Sequence, residues 1–301
     1  MGTYKAAIVG LGSMGMGMAR SAHAAGLQVV GCDLNETARR DLEAAGAATA
    51  ETAVDAAAVA DAVAVVVVNA QQTEAVLFGP GGAAEGLAPG AVVLGCATVP
   101  ATFAVETADR LAERGILYLD APISGGPVKS AEGALTVMAS GSEDAFAKAQ
   151  PLLDAVAETV FNLDAEAGPA STMKTVNQLL AGVHIATAME AVALGIKAGL
   201  EAETVFEVIT KAAGNSWMFE NRVPHVIDGD YSPKSAVGIF TKDLGIVLGE
   251  AEHLGIDLPL SEAALARFRA AAEMGLEGAD DAAVIKVYAE QAGIQLPGDG
   301  D

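Results

Sequence analysis

Three groups of residues in this 301-residue chain combine reactive types with a spacing that chemistry could use. Gly10-Leu11-Gly12-Ser13-Met14-Gly15 follows a short apolar β-like run and leads into a helical stretch. In that setting the first glycine permits a tight turn and the second lets a pyrophosphate approach the backbone. The third allows close helix–strand packing, with the helix N-terminus facing the phosphates. Asp33 stands at the end of the next apolar run. A carboxylate there accepts hydrogen bonds from ribose hydroxyls and repels a 2′-phosphate, and Leu34-Asn35 brings no arginine to hold one. NAD is therefore expected over NADP. The bland alternative is a glycine turn beside a helix-capping Asp.

The second group is Lys174, Asn177 and Gln178, spaced i, i+3, i+4 and so on one face of a helix. An amine that is neutral when an alcohol binds can take its hydroxyl proton. Desolvation and a neighbouring cationic ring would lower the lysine pKa and suit it to that task. On spacing alone, a solvated lysine beside two packing amides is the commoner meaning. The third group, Ser124-Gly125-Gly126, follows the apolar run 117–120. Its backbone N–H groups can hold a carboxylate as an anion nest, or it is a plain turn.

These groups need elements to carry them. Over the first 160 or so residues, apolar runs at 6–9, 28–32, 64–68, 91–94 and 117–120 alternate with helical stretches at 15–25, 36–45 and 102–113. Continuous rather than alternating apolar strands indicate a parallel sheet covered on both faces. The expectation is an α/β fold: an N-terminal Rossmann domain with a doubly wound parallel sheet, at 1–165, then an all-α domain at 166–301. Further strands are possible at 135–140 and 159–161. Asn69-Ala70 and Thr98 end the third and fourth strands, placed for the adenosine side and the nicotinamide ribose. A long helix from 170 to 199 opens the second half, followed by helices at 202–213, 241–254, 261–274 and 282–291. Trp217, the sole tryptophan, is read within a Gly214-Asn215-Ser216 loop with Phe219 and Arg222. Core packing is the ordinary role for that aromatic pair, with a substrate or subunit contact the alternative. The tail at 297–301 is polar.

Composition narrows the classes. Seventeen Lys+Arg against 39 Asp+Glu give a net charge of −22, which disfavours nucleic acid and anionic membrane surfaces as partners. At 52% hydrophobic and 19% charged, the chain is globular rather than disordered. The start has no basic region followed by a long apolar one, so no secretory leader is expected. The apolar run 62–68 is too short to span a bilayer. The expected compartment is the cytoplasm. Cys32 and Cys96 are isolated, and His23, His184, His225 and His253 show no ligand spacing, so no disulfide framework and no metal site are expected.

Four segments in order resemble the β-hydroxyacid dehydrogenases, the family that includes 3-hydroxyisobutyrate dehydrogenase. They are 10–19 (GLGSMGMGMA), 120–126 (DAPISGG), 168–178 (GPASTMKTVNQ) and Lys242-Asp243-Leu244. The resemblance covers essentially the whole chain, and within the family 214–222 and 235–244 are closest to the branch that oxidises the C2 hydroxyl of L-threonate. It implies NAD as cofactor, bound by Gly10, Leu11, Gly12, Ser13, Met14, Gly15, Asp33, Asn69, Ala70, Thr98 and Lys242. It implies Lys174 as general acid/base, with Ser124, Gly125, Gly126, Asn177 and Gln178 on a small anionic hydroxy acid. A homodimer or homotetramer follows at the same level. The motifs barely separate L-threonate from 3-hydroxyisobutyrate or tartronate semialdehyde. Catalytically dead nucleotide-sensing modules and imine reductases share the superfold, but the presence of Lys174 with its helix motif argues against both.

Overall fold

The computed structural model describes residues 4–298. The first three residues and the last three of the polar tail lie outside the described residues. The chain divides into two compact units between Lys174 and Thr175.

The first unit is built on a nine-stranded sheet: β1 (Lys5–Val9), β2 (Gln28–Cys32), β3 (Ala48–Ala50), β4 (Ala62–Val65), β5 (Val92–Gly95), β6 (Leu117–Asp120), β7 (Ile123–Ser124), β8 (Leu135–Ser140) and β9 (Ala157–Asp164). Its order is β3-β2-β1-β4-β5-β6-β8-β7, with β9 pairing β8. The first six of these strands are parallel, in the doubly wound order that reverses direction beside β1. Beyond β6 the sheet is mixed, because β8 runs antiparallel to β6 and β7 while β9 runs parallel to β8. Alternate residues explain the continuous apolar runs. Ala6, Ile8, Ala62, Ala64, Val92 and Leu94 enter a core on one face. Ala7, Val9, Val63, Val65 and Val93 enter a core on the other.

The expected strand at 64–68 lies two to three residues earlier. β4 pairs with β1 from Ala6↔Ala62 to Val9↔Val65, so it stops where β1 gives way to the glycine turn, and 66–68 leave the sheet. Consequently Asn69 and Thr98 do not end strands. Asn69 caps the helix Ala70–Phe78, its Oδ1 accepting from Gln72 N at 2.8 Å, and Thr98 lies three residues past β5. Two short strands, β3 and β7, carry too few residues for a sequence pattern to register.

The long helix, Pro169–Lys197, starts in the first unit and continues through the second. The second unit packs Ile185, Met189 and Val192 of this helix with Phe240, Leu244 and Phe268 in one core, where the Phe240 and Phe268 rings stack at 5.3 Å. By length and composition this is the one described helix able to cross a membrane. These contacts are those of a core helix.

The remaining helices are Ala202–Ile209, Trp217–Ile227, Val237–Leu254, Pro259–Ala271 and Ile285–Ala292. Trp217 corrects the sequence reading. It opens a helix rather than lying in a loop, because the Ser216 hydroxyl accepts from Phe219 N at 3.1 Å and caps it. Pro224 inside that helix breaks the pattern by which it would be recognised. Phe219 is buried against Phe206, whereas Trp217 is more than half exposed. A buried ion pair and a buried hydrogen bond tie this helix to the turn before the last one: Arg222 Nε to Asp281 at 2.5 Å, and His225 Nδ1 with Asp280 Oδ1 at 2.8 Å.

Candidate active site

The glycine turn has the shape its residues require. Gly10 has φ +96°, and a Cβ there would lie 2.3 Å from the Val66 carbonyl oxygen. A Cβ on Gly15 would lie 1.8 Å from the Gly10 oxygen, so the helix Ser13–Ala24 packs onto the turn only with glycine at that position. At Gly12 an added Cβ meets nothing within 4 Å. Its backbone is open on the side where a pyrophosphate would approach, at a helix N-terminus with no side-chain cap. Gly17 serves packing, since its Cβ would strike Ser130 Oγ at 2.6 Å, and that hydroxyl donates to Met14 O at 2.6 Å.

Asp33 follows β2. Its Oδ2 accepts from Leu11 N at 2.6 Å and its Oδ1 from Asn35 N at 2.8 Å. These bonds fix the carboxylate against the glycine turn and leave lone pairs for two hydroxyls. One neighbour was not legible in Leu34-Asn35: Arg39, one helical turn on, donates to the Asp33 carbonyl at 2.5 Å. The open cradle at Gly12 and the fixed carboxylate fit the pyrophosphate and ribose of NAD.

The other first-unit candidates lie along the same edge of the sheet. Gly10, Asp33, Asn69, Thr98 and Ser124 all follow the carboxyl ends of parallel strands or of the segment extending from β6, where ligands bind in doubly wound sheets. Ser124 ends β7; Gly125 and Gly126 have φ of +136° and +76° before a short helix, Gly126–Ala131. Nothing would meet a Cβ at Gly126 within 4 Å. Lys174 is buried, and its Nζ donates to Ile123 O at 2.9 Å, which brings the amine to the segment leading into Ser124.

Two residues quoted in the motifs, but given no role from sequence, are buried and hold several of the bonds near these candidates. Asp120 at the end of β6 is fully buried and accepts from Gly168 N, Ser171 N and Ser171 Oγ at 3.0, 2.9 and 2.8 Å. Burial pushes its pKa up, and bonds from Ser171, Gly168 and Ser140 pull it back. Asp243, in the second unit, is also buried. Its Oδ2 accepts from Gln178 Nε2 at 2.5 Å and its Oδ1 lies 2.6 Å from Lys242 Nζ. Asn177 Nδ2 donates to Gln178 Oε1 at 2.8 Å, so Gln178 is held at both ends of its amide. Lys242 sits in the second turn of Val237–Leu254, mostly covered rather than on the surface. The signal that could have found Asp120 is its place at a strand's carboxyl end; for Asp243 it is adjacency to Lys242.

This sheet order and glycine turn, with a carboxylate fixed after the second strand, are those of a domain that binds a dinucleotide. Residues 5–164 match the family described as the NAD binding domain of 6-phosphogluconate dehydrogenase. Residues 168–288 match that described as NAD-binding of NADP-dependent 3-hydroxyisobutyrate dehydrogenase. The chain is 51% identical to L-threonate dehydrogenase of Cupriavidus necator, over 97% of each chain. It is 50% identical to that of Escherichia coli K12, over 98% of this chain and 97% of the other. A crystal structure of 3-hydroxyisobutyrate dehydrogenase from Salmonella typhimurium superposes with a TM-score of 0.91 at 50% identity, covering 94% of this chain and 99% of that one. The chain belongs to the 3-hydroxyisobutyrate dehydrogenase-like family of β-hydroxyacid dehydrogenases, enzymes that oxidise a small hydroxy acid with NAD.

Proposed function

We propose that this enzyme oxidises the C2 hydroxyl of L-threonate to 2-oxo-threonate, with Lys174 as the proton acceptor. The observation that carries the substrate is the identity of about half of all residues, over nearly full length, to enzymes named for L-threonate. NAD, when bound, accepts the hydride from the alcohol carbon. Lys174 takes the hydroxyl proton as the O–H electron pair closes to C=O, and returns it to the carbonyl oxygen in the reverse direction. Its tether to Ile123 O supports this role, because it aims the amine at the segment that Ser124, Gly125 and Gly126 continue. Those residues bind the substrate carboxylate through backbone N–H groups. Asn177 presents its amide oxygen to a substrate hydroxyl, and Gln178, held by Asp243, keeps Asn177 in place. Gly10 to Gly15 and Asp33 hold the pyrophosphate and adenosine ribose, Asn69-Ala70 the adenosine side, and Thr98 and Lys242 the nicotinamide end.

The same reading puts the functional boundary between the cofactor and catalytic domains at 165/166, the enzyme in the cytoplasm, and the chain in a homodimer or homotetramer. Met173, Val176, Leu180 and Leu194 form an exposed apolar flank on the long helix that supports self-association. A second substrate is favoured by one finding: the Salmonella structure, as similar as the L-threonate enzymes, carries the name 3-hydroxyisobutyrate dehydrogenase. NADH formation from L-threonate, its epimers and 3-hydroxyisobutyrate separates the two. Turnover of 3-hydroxyisobutyrate with all the four-carbon acids inert overturns the first reading.

A further inference from the structure

The long helix begins without a capping side chain of its own. Gly168 precedes it and Pro169 has no N–H, yet each early donor finds an acceptor. Gly168 N and Ser171 N reach Asp120 Oδ2, Ala170 N reaches Ser140 Oγ at 3.1 Å, and Thr172 N makes the first bond of the helix, to Gly168 O at 2.9 Å. The cap is therefore imported from the sheet, where Asp120 and Ser140 are register partners across β6 and β8. A carboxylate at the positive end of a helix holds it along its axis. The additional bond from Ser171 Oγ to Asp120 Oδ1 fixes its rotation. Lys174 lies three residues past Ser171 on the same flank. Its amine is held by Ile123 O, three residues past Asp120. Residues 120–123 thus grip the helix twice, at its first turn and at the lysine.

We infer that Asp120, acting through Ser171, is a positioning residue that sets where the Lys174 amine lies during proton transfer. The carboxylate itself stays outside the reaction, because the groups bonded to it are the helix's own donors and Ser140. The inference rests on the assignment of the proton to Lys174. It differs from simple stabilisation in that loss of the grip displaces the amine even while the sheet stays folded. Displacements of about 1 Å at a reacting group cost up to about 100-fold in rate.

The test compares Asp120→Asn, Ser171→Ala, Ser171→Thr and Lys174→Ala in the full-length enzyme. It measures kcat, KM for the hydroxy acid, NADH affinity by fluorescence, and amide hydrogen exchange. Asp120→Asn is expected to lower kcat about 100-fold and Ser171→Ala about 10-fold, with NADH affinity within about twofold and Ser171→Thr near the parent. Exchange should quicken at 168–174 while β1 to β6 stay protected. Parent-like kcat in both Asp120→Asn and Ser171→Ala overturns the inference, as does a kcat that only tracks the folded fraction. Should Asp120→Asn fail to fold, Ser171→Ala and its rescue by Ser171→Thr decide the matter. An active Lys174→Ala enzyme instead overturns the assignment of Lys174, whatever the other variants do.

Discussion

In the proposed reaction Lys174 is the side chain that moves the proton. Lys174→Ala should lower kcat by about 10²- to 10⁴-fold, the usual worth of a positioned acid/base, while NADH binding stays nearly intact. Retention of most of the activity would remove the residue from the reaction. At the other end of the cofactor site, Asp33 should make kcat/KM for NAD exceed that for NADP. Asp33→Ser should narrow or reverse the preference, because it removes the charge that repels a 2′-phosphate and leaves Arg39 one helical turn away. Equal kcat/KM for the two cofactors in the parent enzyme would contradict this. The roles proposed for these residues rest on short local patterns that the sequence displays: a glycine turn, a strand end, a helix face. Asp120 and Asp243 were visible as letters but not as partners. Asp120 meets Ser171 across 51 positions, and Gln178 meets Asp243 across 65. No local periodicity encodes such pairings; strand order and helix packing do.

At the scale of elements, the parallel strands were legible because burial on both faces leaves an unbroken apolar run, as in the fully buried Ala62–Val65. At the mixed end the expected strand 135–140 matches β8 and 159–161 lies inside β9, but β9 exposes most of its length and was read short, while β7, with two residues, left no pattern. The helix Trp217–Ile227 was hidden by Pro224 and by a serine cap that reads as a turn. Helix packing supplies a further prediction. A Cβ on Gly182 would lie 2.9–3.0 Å from the side chain of Leu244, which is fully buried. Gly182→Val should therefore cost about 1–3 kcal/mol as overpacking, seen as a lower Tm. An unchanged Tm would mean that the two helices separate more readily than their packing implies. Asp281→Ala should be costlier, about 3–5 kcal/mol, because it strands the buried Arg222 guanidinium; denaturant unfolding would measure it.

For the whole molecule, a charge of −22 repels itself, and neither cofactor nor substrate gains from it, since both are anions. Local amides and a few cations must do the binding, with surface carboxylates screened beyond about 8 Å at physiological salt. Asp120 has a pKa raised chiefly by burial. A carboxyl with a raised folded-state pKa stabilises the fold in its protonated form, and that contribution is lost as pH rises through the folded value. Self-repulsion changes in the same sense. Tm at about pH 5.5 should thus exceed Tm at about pH 8, and added NaCl should raise the higher-pH value more. A Tm that falls over this acidification would contradict the account. The imported helix cap also bears on modularity. The obvious place to cut or recombine this chain is just ahead of the long helix, near 165/166. A break there leaves Asp120 and Ser140 on one piece and the N–H groups they satisfy on the other. A helical half grafted from a relative would inherit a working first turn only where the recipient's sixth strand ends in the same carboxylate.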